Sequence, residues 1–531
     1  MKMTRHLVQN AALSLAMATC ATAALADENE VYLGQTGVTN VIDINQLGDA
    51  NKIGADDRQI FISQQGISNE MTISQTGYSN QAGARASSGS LGLQGLYQTG
   101  ALNSLEITQE NDNASGINQI GAISQVSPDT YTSTRSNSLT IIQSHNALDG
   151  TVGSGDGQGN HFIGEIQQIQ TATALSPNIA TIRQYDGGNN GDGGNSINRL
   201  VQEGSANRVD ITQQYRGNAI ETFQQYGLSN EASILQRAGM DNLISSFNQI
   251  GSSNRTAVTM TGSRNLLLSL IQNNDLVSVA GNLATVQLGG DDNGGDGFGG
   301  LGQFTHAITK QLAVAQAEIK QLGDDNTLNF VTSGVSSMTA FGFVQDGDGN
   351  WLSGTTDGTE NEVAALQIGD GNRLNFSQSG DRSALSVSYR GKDNELNAVQ
   401  TGDDNTMSVA FDGSVSPLTR SDQNNDTALG GFTDVVLGAA GTLTPGQAIQ
   451  TGNLNVAFVQ ISEGSFNKFA FSQSGDQKRH RRCHPWFIQP DCRRPDWWRQ
   501  LCLLPPVGQL QPAHHPAVES GCTKYFFYHR I

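Results

Sequence analysis

The polar groups that this chain repeats most regularly are primary amides. A Gln or Asn side chain offers one carbonyl oxygen and two N–H groups, so amides held at one repeating position can bond to each other end to end. Cohesion, rather than catalysis, is the chemistry open to such a set. The phrase Gln-x-Gly-x-x-Asn occurs thirteen times. Its copies supply Gln35, Gly37 and Asn40; Gln46, Gly48 and Asn51; Gln64, Gly66 and Asn69; Gln75, Gly77 and Asn80; and Gln98, Gly100 and Asn103. Next come Gln202, Gly204 and Asn207; Gln225, Gly227 and Asn230; Gln249, Gly251 and Asn254; and Gln321, Gly323 and Asn326. The last four are Gln345, Gly347 and Asn350; Gln367, Gly369 and Asn372; Gln400, Gly402 and Asn405; and Gln450, Gly452 and Asn455. Starts lie about 11 residues apart, or a multiple of that. Altered copies stand where a phrase is due at Gln109, Gln213, Gln236, Met260, Gln378 and Tyr389.

Some element must hold those amides at constant pitch. Between phrases the residues alternate, as in Glu70-Met71-Thr72-Ile73-Ser74 before Gln75 and Arg373-Leu374-Asn375-Phe376-Ser377 before Gln378. A period of two predicts half-buried strands of about five residues. Gly-x-x-Asn supplies the turn, with both glycine and asparagine expected to accept positive φ. One unit of about 22 residues is then strand, turn, strand, turn, and no single unit can bury its apolar face alone. The expected fold class is all-β: a β-solenoid of stacked strand-turn-strand units, cross-β and amyloid-like, with Gly-rich interruptions. At a spacing of about 4.8 Å like residues lie over like, so amides form ladders while Ile, Leu, Val and Phe pack as in a dry zipper.

Composition agrees. Gly accounts for 62 of 531 residues and only 36% are apolar, which argues against a thick globular core. Disorder is the rival reading at 6% aromatic residues, and the strict alternation beside each turn argues against it. Residues 1–26 read as a signal peptide: Lys2 and Arg5, a short apolar stretch from Ala11 to Ala23, then Ala24-Leu25-Ala26 before Asp27. A lipoprotein signal at Cys20 fits less well, since Met17-Ala18-Thr19 lacks the usual residues before the cysteine. No other stretch is long and apolar enough for a membrane helix, so a secreted chain without a membrane span is expected.

Residues 27–476 form the repeat region, interrupted near 82–96, 126–138, 148–194, 289–302 and 412–446 by segments read as loops. From 477 to 531 the composition changes: the tail holds Cys483, Cys492, Cys502 and Cys522 and three of the four Trp. Residues 1–476 carry 21 basic and 46 acidic residues, a formal charge of −25, whereas the tail carries 9 and 3, or +6. A metal site at Cys483, His484, Cys492, Cys502 and His514 lacks zinc-module spacing. A disulfide-stapled basic module for nucleic acid or anionic lipid is a second reading. A shifted reading frame best explains an abrupt change in mid-repeat, so no nucleic-acid partner is expected.

An enzyme is not expected. His145, His161 and His306 are scattered, and the chain has no nucleophile elbow, phosphate loop or metal-binding His pair. The segment Gly290-Asp-Asp-Asn-Gly-Gly-Asp-Gly-Phe-Gly299 invites a calcium reading, but the nine-residue period is absent, and a solvated acidic turn is the plainer account. No cofactor is expected.

The phrase, its alternating flanks and its interval together resemble the curlin repeat of bacterial curli fibre subunits, over most of residues 31–476. The resemblance implies a β-solenoid that polymerises into extracellular functional amyloid, a pilus-like fibre of the biofilm matrix used in surface adhesion. The partners it implies are further copies of the chain, a nucleator subunit and an outer-membrane secretion channel. It also implies that the Gln, Gly and Asn of each intact phrase are the ladder and turn residues. The alternative is a monomeric cell-surface β-helical adhesin or fibre-associated accessory protein, with calcium binding as an option of that reading. Later phrases place Asp after Gly, at Asp324, Asp348, Asp370, Asp381 and Asp403. On alternate units these carboxylates repel weakly, by about 1 kcal/mol in water; stacked in register they temper aggregation. Residues 31–110, with neutral Val38 and Tyr78 there, are expected to associate most readily.

Overall fold

The computed structural model describes residues 31, 33–48, 51, 53, 62–77, 80–83, 96–110, 118–128, 137–144, 161–170, 176–185, 194–275, 280–295, 304–312, 314–411, 446–461 and 470–481. The signal peptide expected at 1–26 and the tail beyond 481 lie outside these residues, as do the centres of the interruptions. Alternation does produce strands with one buried side. In Glu70–Gln75, Met71, Ile73 and Gln75 are buried while Glu70 is exposed, so each strand directs apolar side chains and one amide inward. The fold is almost wholly β; the one helix among the described residues is Ala307–Lys310.

The chain divides into two compact parts, Met1–Asp291 and Asp292–Ile531. In the first, a long sheet takes in order Val41–Gln46, Glu70–Gln75, Ser104–Glu110, Asn137–Ser144, Asn178–Tyr185, Arg208–Gln214, Glu231–Gln236, Arg255–Met260 and Leu283–Leu288. A second sheet takes Leu33–Val38, Ile62–Ile67, Leu96–Ala101, Ile123–Val126, Gln168–Gln170 and Glu203–Gly204. Pairing is parallel, with Gln on Gln and apolar on apolar: Ile73 meets Ile107, and Ile107 meets Ile141. Among the described residues Leu33–Val38 and Val41–Gln46 each have one neighbour, so within these residues the sheets are open at that edge.

The second part follows the same plan. One sheet takes Thr327–Thr332, Trp351–Asp357, Arg373–Ser379, Glu395–Thr401, Gln447–Thr451 and Phe471–Ser474. The other takes Glu318–Leu322, Phe343–Asp346, Gln367–Ile368, Tyr389–Arg390, Thr406–Phe411, Val456–Ile461 and Arg479–Arg481, with Ala384–Ser386 beside Thr406–Phe411. Inward positions on successive strands run Phe330, Gly354, Phe376 and Ala398, large against small. A Cβ at Gly354 would stand 2.0 Å from Phe376 Cζ, so Gly354 leaves the space the ring fills. Phe343 completes the cluster, 5.0 Å from Phe330 and 6.2 Å from Phe376 between ring centroids.

Three expectations need correction. The interruption near 148–194 contains a full strand, Asn178–Tyr185, in register with both neighbours. Its Asn178, Ala180, Ile182 and Gln184 point inward; only the Gln-x-Gly signal is missing there. The interval from 126 to 138 likewise ends inside the strand Asn137–Ser144. Repeat geometry also passes the expected boundary at 476, because Val456–Ile461 pairs with Arg479–Arg481 and Lys478 N–H donates to Asn455 Oδ1 at 3.1 Å. The start of the tail can occupy a repeat position because a backbone ladder needs no particular side chain.

The turn also differs from expectation. Glycine takes positive φ, but the left-handed residue beside it precedes the asparagine: Ser68 at 56°, Leu102 at 61°, Ala206 at 61° and Ser253 at 62°. The asparagine is occupied otherwise, since Asn69 is buried and donates Nδ2 back to Gln65 O at 3.3 Å. An L residue in that conformation costs about 1–2 kcal/mol, and the second part lowers the cost by using Asp325, Asp404, Gly349 and Gly371 there.

Candidate functional site

Parallel pairing turns the repeated glutamines into columns. In the first part Gln35 donates Nε2 to Gln64 Oε1 at 2.9 Å, Gln64 to Gln98 at 2.7 Å and Gln98 to Gln125 at 2.7 Å. The column runs on beyond the last strand of that sheet: Gln249 donates to Gln225, Gln225 to Gln202 and Gln202 to Gln168, each at 2.6 Å. The long sheet carries a second column, in which Gln109 donates to Gln75 at 2.6 Å and Gln75 to Gln46 at 2.8 Å. Gln143 donates to Gln184 and Gln184 to Gln213 at 2.7 Å, and Gln213 to Gln236 at 2.8 Å. Donor direction thus reverses between Gln109 and Gln143, whose Oε1 atoms are buried without a donor.

The second part has its own pair of columns. Gln321 donates to Gln345 at 2.9 Å and Gln345 to Gln367 at 3.2 Å. On the other arm Gln378 donates to Gln400, Gln400 to Gln450 and Gln450 to Gln473, at 2.8, 2.8 and 2.7 Å. The second Nε2 hydrogen is used as well: Gln64 reaches Val41 O at 3.0 Å, and Gln450 reaches Thr406 O at 3.0 Å. Each such bond ties one sheet to the other. All column glutamines of the intact phrases are buried except Gln35 and Gln46, which lie in the edge row.

The asparagines form columns at the turns. Asn69 N–H donates to Asn40 Oδ1 at 3.0 Å and Asn103 N–H to Asn69 Oδ1 at 3.1 Å. The same bond links Asn207, Asn230 and Asn254, at 3.0 Å per step, and Asn326, Asn350 and Asn372, at 2.9 and 3.0 Å. On the opposite turns it joins Asn51 to Asn80 at 3.0 Å and Asn405 to Asn455 at 3.1 Å. Side-chain Nδ2 groups reach the glycine carbonyl of the next row, as in Asn69 to Gly100 O at 3.0 Å. Each bond contributes about 1 kcal/mol net, but losing a buried member costs more, because its partners are left unsatisfied.

Glycine is required here by space as well as by φ. Gly66 sits at φ +123°, and a Cβ on it would stand 1.9 Å from Gly100 O. Rows approach more closely at these corners than any side chain allows. Gly37, Gly48 and Gly204 show the same approach to the next row.

Several column members lie outside the phrase. Gln125, Gln143, Gln168, Gln184 and Gln272 occupy column positions with no Gly two residues on. The signal that could have found them is the apolar residue two positions before the glutamine, as in Ile123, Ile141, Ile166, Ile182 and Leu270. Of the altered copies, Met260 takes a glutamine place, with its sulfur 3.7 Å from Gln236 Nε2. Tyr389 stands in register with Gln367, and burial pushes its phenol well above the ordinary range.

The Gly-Asp carboxylates occupy consecutive rows, not alternate ones. Asp324 N–H donates to Asp348 Oδ1 at 2.8 Å and Asp348 N–H to Asp370 Oδ1 at 3.1 Å. On the opposite turn Asp381 N–H donates to Asp403 Oδ1 at 2.9 Å, and Asp403 N–H to Asn453 Oδ1 at 2.8 Å. A backbone donor at Asp348, Asp370, Asp381 and Asp403 offsets the repulsion between neighbours, whereas Asp324 Oδ1 is buried without one. Lys392 at 2.6 Å holds the Asp370 carboxyl below its usual range, and Arg382 does the same for Asp404 with bonds of 2.8 and 2.9 Å.

Among the described residues no group of three or more His, Cys, Asp or Glu could hold a metal ion, and no helix is long and apolar enough to cross a membrane. In the segment read for calcium, Asp291 Oδ1 accepts Ser263 N–H at 2.7 Å. His161 fills an asparagine place, its carbonyl accepting Gln119 N–H at 2.8 Å; His306 lies just before the short helix, and His145 is outside the described residues. Among the described residues the arrangement therefore offers columns of amides and carboxylates with an edge row that pairs on one side. No protein-family model matches this chain, and no curated protein matches it.

Proposed function

We propose that this chain is a secreted structural protein whose repeats stack as a β-solenoid and assemble into curli-like, cross-β fibres outside the cell, serving a biofilm matrix and adhesion to surfaces. The observation that carries this reading is the run of in-register buried amides, Gln64 to Gln98 to Gln125 and Asn40 to Asn69 to Asn103. Identical rows bonded through backbone and side chain are the contacts a second copy can extend at an open edge. At the edge row, Leu33, Val38 and Val41 are 51%, 55% and 52% exposed, an apolar border for an incoming strand. Partners on this reading are further copies, a nucleator subunit and an outer-membrane channel, with no enzymatic activity.

A second reading is a monomeric surface adhesin or an accessory of such a fibre. It draws on the acidic columns of the second part, whose charge opposes close approach of copies. The purified chain, incubated at neutral pH and examined by fibre diffraction, separates the two. A meridional reflection at about 4.7–4.8 Å is expected. A chain that stays monomeric under all assembly conditions, with no such reflection, would refute the fibre reading and leave the adhesin.

A further inference from the structure

Immediately after a column asparagine the chain usually faces water: Glu70, Arg208, Glu231, Arg255 and Arg373 are all exposed. Glu362 follows Asn361 and is buried, its side chain only 2% exposed. The cover is residues 304–312, which include the helix Ala307–Lys310. This segment spans three successive rows. Phe304 Cζ stands 3.0 Å from where a Cβ of Gly342 would be, Thr305, His306 and Thr309 bond Glu362, and the helix packs on Ala384–Ser386. Burial in those rows is unbroken, at 340–343, 361–365 and 383–387, whereas 218–223 in the first part is interrupted at Ala219, Glu221 and Thr222. The residues beneath the cover are small, Gly342 and Ala384, with Ala315 O and Val314 also closing on Gly342, and Glu362 is the one charge among them.

That carboxylate gathers the segment. Thr305 donates to it through both its N–H and, at 2.6 Å, its hydroxyl; His306 N–H reaches Oε1 at 3.1 Å and Oε2 at 3.2 Å; and Thr309 Oγ1 also donates. His306 Nδ1 lies 3.1 Å from Oε1. Nearly all of these bonds need an acceptor that a protonated carboxyl supplies only in part.

We propose that residues 304–312 are an acid-released strap: the Glu362 carboxylate clasps them over this sheet face, and protonation of that carboxylate lets the strap lift and uncovers Ala384 and the Phe304 side of Gly342. The proton comes from solvent, the bonds from Thr305, His306 and Thr309 to the carboxylate are released, and no covalent bond breaks in the protein. Among titratable groups, His306 faces Glu362 directly, while Asp404 from a neighbouring row and Lys310 on the strap bear on His306. His306 is protonated throughout the acid range, so it moves release to lower pH without driving it. The inference is independent of fibre formation.

Hydrogen exchange of the full-length monomer tests it, with amides 305–310 compared against the strand Trp351–Asp357. With the carboxyl at about 2 in the closed strap and 4.5 when free, protection at 305–310 should fall about thirtyfold from pH 6 to pH 3 while the strand holds. Glu362→Ala should show the loss already at pH 6, without further pH dependence. If that variant fails to fold, the wild-type series still decides. Constant protection from pH 6 to 3 overturns the proposal. An equal loss in the reference strand overturns it too, since the segment would then be part of the sheet rather than a strap on it.

Discussion

Gln400 donates its Nε2 to Gln450 Oε1 at 2.8 Å although fifty residues of chain separate them. The interruption at 412–446 lies within that interval, yet the column passes it without a shift, and Val399 still meets Ile449 in the ladder. A bond that survives such an insertion is a test of how much the columns contribute. Gln400→Ala would leave Gln378 without its acceptor and Gln450 without its donor, and should destabilise the second part by about 2–4 kcal/mol. Gln35→Ala, in the exposed edge row, should stay within about 0.5 kcal/mol. Urea unfolding of both variants checks the contrast, and equal costs would show that the buried columns carry no special weight.

Glycine at the corners gives a second contrast. Gly66→Ala meets both a φ of +123° and the carbonyl of Gly100 at 1.9 Å, so a loss of about 3 kcal/mol or more is expected. Gly334, where an added Cβ would have nothing within 4 Å, should accept Ala within about 0.5 kcal/mol. Thermal melts of the two variants would distinguish these cases.

The stacked carboxylates predict a salt effect. Asn453 already fills an aspartate place and accepts Asp403 N–H at 2.8 Å, so an amide serves as well as a carboxylate in that bond. Asp403→Asn should raise stability by about 0.5 kcal/mol at low ionic strength, and the gain should vanish at high salt. Asp403→Ala removes the acceptor for Asp381 N–H and should cost about 1 kcal/mol at any salt.

Stability of the second part should peak in mildly acidic solution. Burial pushes the Glu362 carboxyl up, but hydrogen bonds from His306, Thr305 and Thr309 prevail and hold it at about 2. A depressed carboxyl contributes fully above pH 4.5 and loses that contribution as pH falls toward 2. His306 is raised above 6.5, chiefly by its bond to Glu362, so its share is complete below 6.5 and fades as pH rises through its folded value. Calorimetry across pH 3–9 should therefore show a maximum between these limits, and His306→Ala should flatten the alkaline side and, by removing one donor to Glu362, reduce the acid loss as well.

Association should begin in the first rows. Residues 31–110 lack the aspartate columns, and their edge row exposes Leu33, Val38 and Val41. A peptide covering 31–110 should reach half-maximal thioflavin fluorescence sooner than one covering 321–411. Faster polymerisation of the later peptide would remove the assigned role of the carboxylates.

The repeating phrase and its alternating flanks made strands, turns and inward amides legible by themselves, because side-chain direction in a strand has period two and a close corner demands glycine. Asn178–Tyr185 was hidden only where Gln-x-Gly had been lost while the alternation persisted. Pairing was not legible. Whether Gln400 meets Gln450, or Asp324 meets Asp348, depends on which rows become neighbours, and loops of any length can separate rows without altering the ladder. Sequence also could not reveal that the residue before each asparagine bears the left-handed strain, since that follows from where the buried amide must point. The burial of Glu362 belongs wholly to the tertiary structure: the residue after a column asparagine faces water in rows such as those of Glu70, Arg208 and Arg373, and the arrival of Thr305, His306 and Thr309 from far along the chain encloses Glu362.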